Sequence, residues 1–245
     1  NNTPLYRYLG NERLVRRVPV NATVGDADAE TTARRVTEAV ENGFDCVKIK
    51  VGARSVADDA DRLRRVREVV GDEVALRADA NGAWDRQQAE RALDAVEPLD
   101  LEYVEQPMPA EEVAAHAGLR NGGNEVPLAL DESLAERPVA DLLAAEAADY
   151  LVLKPMALGG PDRARNVARQ ARQAGVTPVI STTIDGVVAR TAAVHVAAAV
   201  PEIPACGLAT ADWLAEDLGP DPAPVADGRI EVPQDKGLGV DLGDE

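Results

Sequence analysis

Residues 46–81 read CVKIKVGARSVADDADRLRRVREVVGDEVALRADAN, and within them lies one complete repeat of a fold. Cys46–Val51 is a short apolar run and therefore a strand. Val56–Val70 places apolar residues at helical spacing among charges, and Val74–Ala78 is a second strand. A strand, a helix and a strand in about 30 residues form a parallel βαβ unit. The same alternation runs along most of the chain. The other strand candidates are Val18–Val24, Tyr103–Glu105, Leu128–Leu130, Tyr150–Leu153, Thr177–Ser181 and a weaker one at Ala205–Leu208. Helices are expected at Ala29–Glu41, Arg86–Val96, Glu111–Leu119, Val139–Ala147, Pro161–Ala174 and Val187–Ala199. Polar residues close successive strands at Lys50, Asp79, Glu105, Asp131, Lys154 and Ser181, at intervals of 29, 26, 26, 23 and 27 residues. Functional groups repeated at the C-terminal ends of strands are what a closed parallel α/β barrel requires, whereas an open sheet gathers them at one switch point. No glycine-rich phosphate fingerprint follows the first strand, which argues against a dinucleotide fold. Barrel elements are expected over residues 18–212, with a connecting arm at 1–17 and an irregular Asp-, Pro- and Gly-rich tail at 213–245.

The chain has 245 residues, 45% of them hydrophobic, enough to bury a core. A formal charge of −17 argues against nucleic acid or an anionic membrane as a partner and favours a cation. Acidic residues within helices, such as Asp58, Asp59, Asp61 and Glu68, read as a solvated face. The acidic, arginine-rich, lysine-poor balance is that of a halophilic protein. Only four lysines occur, and Lys48, Lys50 and Lys154 lie in apolar strand-like runs, a costly place for a charge. Cys46 and Cys206 are too few for a disulfide framework, and both are expected as buried thiols in the cytoplasm. No run reaches the length of a membrane span, and no signal peptide is visible. The Asn21-Ala22-Thr23 sequon is then incidental. The chain opens at Asn1 without methionine, so an upstream segment, either removed or not included here, is expected.

Asp79, Glu105 and Asp131 end three consecutive expected strands and converge if the barrel closes. Three carboxylates together need a cation, and hard oxygen donors with open positions suit Mg²⁺ or Mn²⁺. Lys48 and Lys50, two residues apart, point to one side of their strand. Lys154 is expected across the barrel mouth. A lysine beside a divalent cation and other ammonium groups can serve as a base near neutral pH. For Lys48, an ion pair with the carboxylates is an equally good reading. Asn81 and Glu132 would support the ligands, and Ser181 and Thr182 could donate to a substrate carboxylate. The N-terminus of the Pro161–Ala174 helix, just after Gly159-Gly160, is placed to attract an anionic group. His116 and His195 fall inside helices without a ligand pattern and read as structural, and Trp84 and Trp213 read as core or rim packing.

Lys48-Ile49-Lys50, Asp79-Ala80-Asn81, Glu105-Gln106-Pro107, Asp131-Glu132-Ser133 and Leu153-Lys154-Pro155, in this order, resemble the muconate-lactonizing branch of the enolase superfamily. Within it the chain looks most like the o-succinylbenzoate synthases, from Leu158-Gly159-Gly160, Ser181-Thr182-Thr183-Ile184-Asp185-Gly186, Gly207-Leu208-Ala209-Thr210 and Trp213-Leu214. The resemblance implies a TIM-type (β/α)7β barrel with Asp79, Glu105 and Asp131 as Mg²⁺ ligands. It implies Lys50 as the base that removes a proton α to a carboxylate, with Lys154 opposite it. The implied reaction is dehydration of a succinyl-hydroxycyclohexadiene carboxylate to o-succinylbenzoate, a step of menaquinone biosynthesis. Racemisation of N-succinylamino acids, epimerisation of dipeptides and muconate cycloisomerisation are the alternatives on the same scaffold. The partner is a small carboxylate substrate, and a homo-oligomer is compatible with the helical outer faces. The family's capping domain, mostly N-terminal to the barrel, is largely absent from this chain.

Overall fold

The computed structural model describes residues 2–243. Its strands are β1 (Arg17–Pro19), β2 (Ala22–Val24), β3 (Cys46–Lys50), β4 (Ala75–Asp79), β5 (Tyr103–Glu105), β6 (Leu128–Leu130), β7 (Tyr150–Leu153), β8 (Thr177–Ile180), β9 (Val225–Ala226) and β10 (Arg229–Glu231). Its helices are α1 (Leu5–Tyr8), α2 (Ala29–Glu41), α3 (Val56–Val70), α4 (Arg86–Val96), α5 (Val113–Arg120), α6 (Ser133–Glu136), α7 (Val139–Ala144), α8 (Pro155–Leu158), α9 (Pro161–Gln173) and α10 (Val187–Ala199). A seven-stranded sheet runs in the order β2-β3-β4-β5-β6-β7-β8. Element order and sheet order are those of the (β/α)7β barrel class anticipated from the sequence.

Ala22–Leu151 with Ala174–Val176 form one compact unit, and the rest of the described chain forms the other. In the first unit, β3 is buried from Cys46 through Ile49, as a parallel strand covered on both faces must be. Ser55 caps α3 by accepting from the Asp58 amide, and Gly71, at φ +68°, ends it. The buried face of α3, including Leu63 and Val66, packs in one core with Val47, Ile49, Leu76, Leu93, Val104 and Leu128. Asp85 and Gln88 form a capping box at the start of α4. Strand register then aligns the functional positions: Lys50 pairs with Asp79, and Asp79 with Glu105.

The expected strand at 18–24 divides, with Arg17–Pro19 in the second unit and Ala22–Val24 in the first. Arg17–Pro19 pairs antiparallel with Arg229–Glu231 in a three-stranded sheet, and only Ala22–Val24 joins the parallel sheet, beside Val47–Ile49. The run at 205–208 is reduced to bridges, Cys206 to Val20 and Gly207 to Ser181. The tail expected to be irregular contains the β9–β10 hairpin. It also carries Asp217, whose carboxylate caps α10 at the Val187 amide, and Asp221, which pairs with the buried Arg190. Both histidines lie inside helices, as anticipated, and both are buried.

His195 ties chain ends to α10. Its Nε2 donates to the Leu238 carbonyl at 3.1 Å, and its Nδ1 accepts from the Tyr6 amide at 3.4 Å, so the ring is neutral. Burial holds its pKa below the usual 6.5. The unfolded chain therefore takes up this proton first, and stability falls as pH drops from about 6.5 toward the folded value. The urea midpoint is expected to fall between pH 7.5 and 5.5, and His195→Gln to remove part of that slope. An unchanged slope in the variant would show that His195 takes up its proton at the same pH in both states.

Candidate active site

The C-terminal ends of β3, β4, β5 and β6 bring Lys48, Lys50, Asp79, Glu105 and Asp131 together in the first unit. Glu105 is fully buried, Asp79 is 1% exposed and Asp131 is 7% exposed. Glu105 pairs across the sheet with Ala129, and Asp131 stands two residues beyond Ala129, on the same face by strand alternation. Such carboxylates repel, and the structure answers with ammonium groups. Lys48 Nζ donates to both Glu105 oxygens at 3.0 Å and lies 3.0 Å from Asp79 Oδ2. Lys50 Nζ lies 2.6 Å from the same Asp79 oxygen and 2.7 Å from Asn81 Oδ1.

Burial pushes the Glu105 carboxyl up to about 7; Lys48 pulls it down, while Asp79 and Asp131 add to the rise. For Asp79, burial acts upward but is outweighed by Lys48 and Lys50, which hold the carboxyl below its ordinary value. Desolvation of Lys48 is outweighed by Glu105 and Asp79, which hold its ammonium charged well above the ordinary lysine range. Lys48 thus makes the ion pairs that one of its two sequence readings describes. A side chain 11% exposed and held as an ammonium is poorly suited to accept a proton, whereas Lys50, at 35%, reaches out of the cluster.

The supporting shell is built from left-handed turns. Asn81, at φ 46°, returns its amide to Asp79 Oδ1 at 3.1 Å, and its side chain donates to Glu132 Oε1 at 2.8 Å. Asn tolerates this backbone region through local hydrogen bonding. The other oxygen of Glu132, Oε2, is buried with no hydrogen-bond partner among the described residues. Gln106, buried at φ 40°, accepts from the Asp131 amide at 3.0 Å and donates to Ser133 Oγ at 2.9 Å, which fixes the end of β6 against β5.

Sequence reading missed two supports. Gln106 is one; the other is a buried pair behind β3. Arg62 and Asp59 are each 2% exposed. Arg62 Nη1 bonds Asp59 and the Lys50 carbonyl, and Asp59 Oδ2 accepts from the Gly52 amide at 2.7 Å. Asp59 therefore departs from the solvated face expected of it, because it satisfies the loop that follows Lys50. Gly52, at φ +89°, has no room for a Cβ, which would stand 2.6 Å from that of Ala83. The only available signal was position: Asp59 and Arg62 lie three apart on the same face as Leu63 and Val66.

In the second unit, Lys154 follows β7 and precedes α8. Ser181 and Thr182 follow β8, both 7% exposed, with Thr182 Oγ1 3.0 Å from Thr210 Oγ1. Trp84 belongs to the core, and Trp213 is 52% exposed.

Among the described residues, no three His, Cys, Asp or Glu side chains stand ready-arranged around a metal position. The ammonium groups lie between the carboxylates instead. The donor set nevertheless fits a hard divalent cation: three carboxylates, one of them raised by burial with the repulsion of the other two adding to it, and a buried oxygen on Glu132 left without a partner among the described residues. Among the described residues, no helix is long and apolar enough to cross a membrane.

Residues 31–245 match the family described as enolase C-terminal domain-like. The chain is 40% identical over 220 residues to an o-succinylbenzoate synthase of Thermobifida fusca, covering 88% of this chain and 66% of that protein. The solved structure of an N-succinyl Arg/Lys racemase from Bacillus cereus superposes with a TM-score of 0.91 at 30% identity, covering 99% of this chain and 65% of that one. A dipeptide epimerase from Cytophaga hutchinsonii, solved with Mg and the dipeptide D-Ala-L-Val, superposes with a TM-score of 0.89 at 29% identity, covering 97% of this chain and 64% of that one. The chain thus spans about two thirds of the length of these relatives.

Proposed function

The chain belongs to the enolase C-terminal domain-like family, and from that premise we propose that it abstracts a proton α to a carboxylate and dehydrates a succinyl-hydroxycyclohexadiene carboxylate to o-succinylbenzoate. The observation that carries the chemistry is the cluster at the ends of β3–β6, where a partly exposed lysine stands 2.6 Å from a buried carboxylate. The choice of dehydration follows the 40% identity to a synthase.

Asp79, Glu105 and Asp131 would hold Mg²⁺, with Glu132 and Asn81 supporting them. When bound, the cation supplies charge stabilisation to the substrate carboxylate as the α-proton leaves. Lys50 Nζ, in its neutral form, accepts that proton and then returns it to the departing hydroxyl, so that water leaves and the ring becomes aromatic. Lys154 contributes positive charge to the electron-rich transition state. Lys48 balances the charge of Glu105 and Asp79 and fixes their orientation. Ser181 and Thr182 are assigned to the substrate's carboxylate end, as hydroxyl donors. The two buried thiols Cys46 and Cys206 suit the cytoplasm.

The test is turnover of the cyclohexadiene substrate by the full-length protein in Mg²⁺, at high salt. Aromatic product formed at a rate that falls with chelator supports the assignment. Absence of product, with solvent deuterium entering an N-succinylamino acid, would transfer the same site to racemisation, the activity named for the Bacillus cereus relative.

A further inference from the structure

Positive charge outside the active-site cluster is concentrated on α9. Its 13 residues carry Arg163, Arg165, Arg169 and Arg172 against one acid, Asp162, in a chain whose acids outnumber its bases 43 to 26. On α3 the four arginines are taken up: Arg62, Arg64 and Arg65 each pair with a carboxylate, and Arg67 donates to main-chain carbonyls. Among the described residues, none of the four arginines of α9 has a carboxylate oxygen within 4.0 Å.

Three of the four line one cavity. Arg165, Arg169 and Arg172 occupy positions i, i+4 and i+7, and therefore one face of the helix. They wall a space of about 270 Å³ whose floor is apolar, from Ala168, Val200 and Pro201. Arg172 has a structural use: Nη1 donates to the Pro201 carbonyl, just beyond the end of α10, where helix carbonyls lack partners. Arg165 and Arg169 make no hydrogen bond among the described residues. Like charges four apart on a helix repel, and a bound anion turns that repulsion into attraction.

We propose that this cavity is an anion site, separate from the carboxylate cluster, that binds a compact oxyanion of the phosphate class carrying at least two charges. Guanidinium forks match the paired oxygens of phosphates and carboxylates. A space of this volume lined by several forks selects a small, multiply charged group. The apolar floor leaves room for the carbon portion of a phosphate ester. The site does not depend on which reaction the carboxylate cluster performs.

Calorimetric titration of the full-length protein with sodium pyrophosphate, in chelator and at fixed ionic strength, tests this. Saturable binding to the parent protein is expected, with an affinity at least tenfold weaker in the Arg165→Gln, Arg169→Gln double variant. The melting temperature of the unliganded variant is expected to stay within about 2 °C of the parent, as for a surface change. Orthophosphate and citrate titrations then separate a phosphate site, which ranks pyrophosphate first, from a general carboxylate site, which ranks citrate first and overturns the assignment. Absence of saturable binding to the parent protein, or equal affinity in the double variant, would also overturn it. If the glutamine variant does not fold, Arg165→Lys with Arg169→Lys keeps the charge but removes the forks, and unweakened binding there counts against the proposal.

Discussion

Lys50→Ala is expected to lower turnover of the cyclohexadiene substrate by ~10²–10⁴-fold, the usual contribution of a general base, with a smaller loss of stability than removal of Lys48, because Asp79 keeps its pair with Lys48. Lys50 is 35% exposed on its side chain, so its removal leaves no large cavity. The same substitution should abolish exchange of the substrate α-proton with solvent deuterium. Lys154 separates the two candidate reactions. In dehydration it acts through its charge, so Lys154→Arg should retain much of the activity that Lys154→Ala loses. In racemisation it must accept and donate a proton, which an arginine cannot do at accessible pH. Stopped-flow assays of the three variants, with deuterium incorporation followed by NMR, read both effects. Equal loss in Lys154→Arg and Lys154→Ala would count against a purely electrostatic role, and full activity in Lys50→Ala would remove the proposed base.

The site's positions were legible because of where parallel strands permit polarity. A strand buried on both faces, as β3 is from Cys46 to Ile49, tolerates charge mainly at its C-terminal end or where partners wait. Lys50, Asp79 and Glu105 could therefore be picked out by their spacing, and the register of β3, β4 and β5 aligns them. The run at 18–24 was misread as one strand because hydrophobicity does not record a partner. Arg17–Pro19 pairs with Arg229–Glu231, more than 200 residues away in sequence. Asp59 looked like ordinary surface charge for a similar reason: its burial beside Arg62 depends on the Lys50 carbonyl and the Gly52 amide, main-chain groups that carry no sequence signal. Gln106 was visible only as part of a motif, and its four-way use at the ends of β5 and β6 follows from a left-handed turn.

Lys48→Met should make the protein's stability depend strongly on Mg²⁺. The substitution removes the ammonium that lies 3.0 Å from both Glu105 oxygens and from Asp79 Oδ2. Breaking a buried ion pair by removing one partner typically costs about 3–5 kcal/mol, because the remaining charge has lost both water and counterion. Lys50 still faces Asp79, so the loss should lie near the lower end, ~3 kcal/mol in chelator. A divalent cation held by Asp79, Glu105 and Asp131 would restore the missing charge. At one hundred times its dissociation constant it would return about 2.7 kcal/mol. The parent protein already carries an ammonium there, so added Mg²⁺ meets more positive charge and should raise its stability less. The measurement is the urea midpoint of parent and variant in chelator and in excess Mg²⁺, with Glu105→Gln as the variant expected to lose most of the response. A midpoint shift no larger in Lys48→Met than in the parent would mean that the ammonium and the cation do not share the carboxylates.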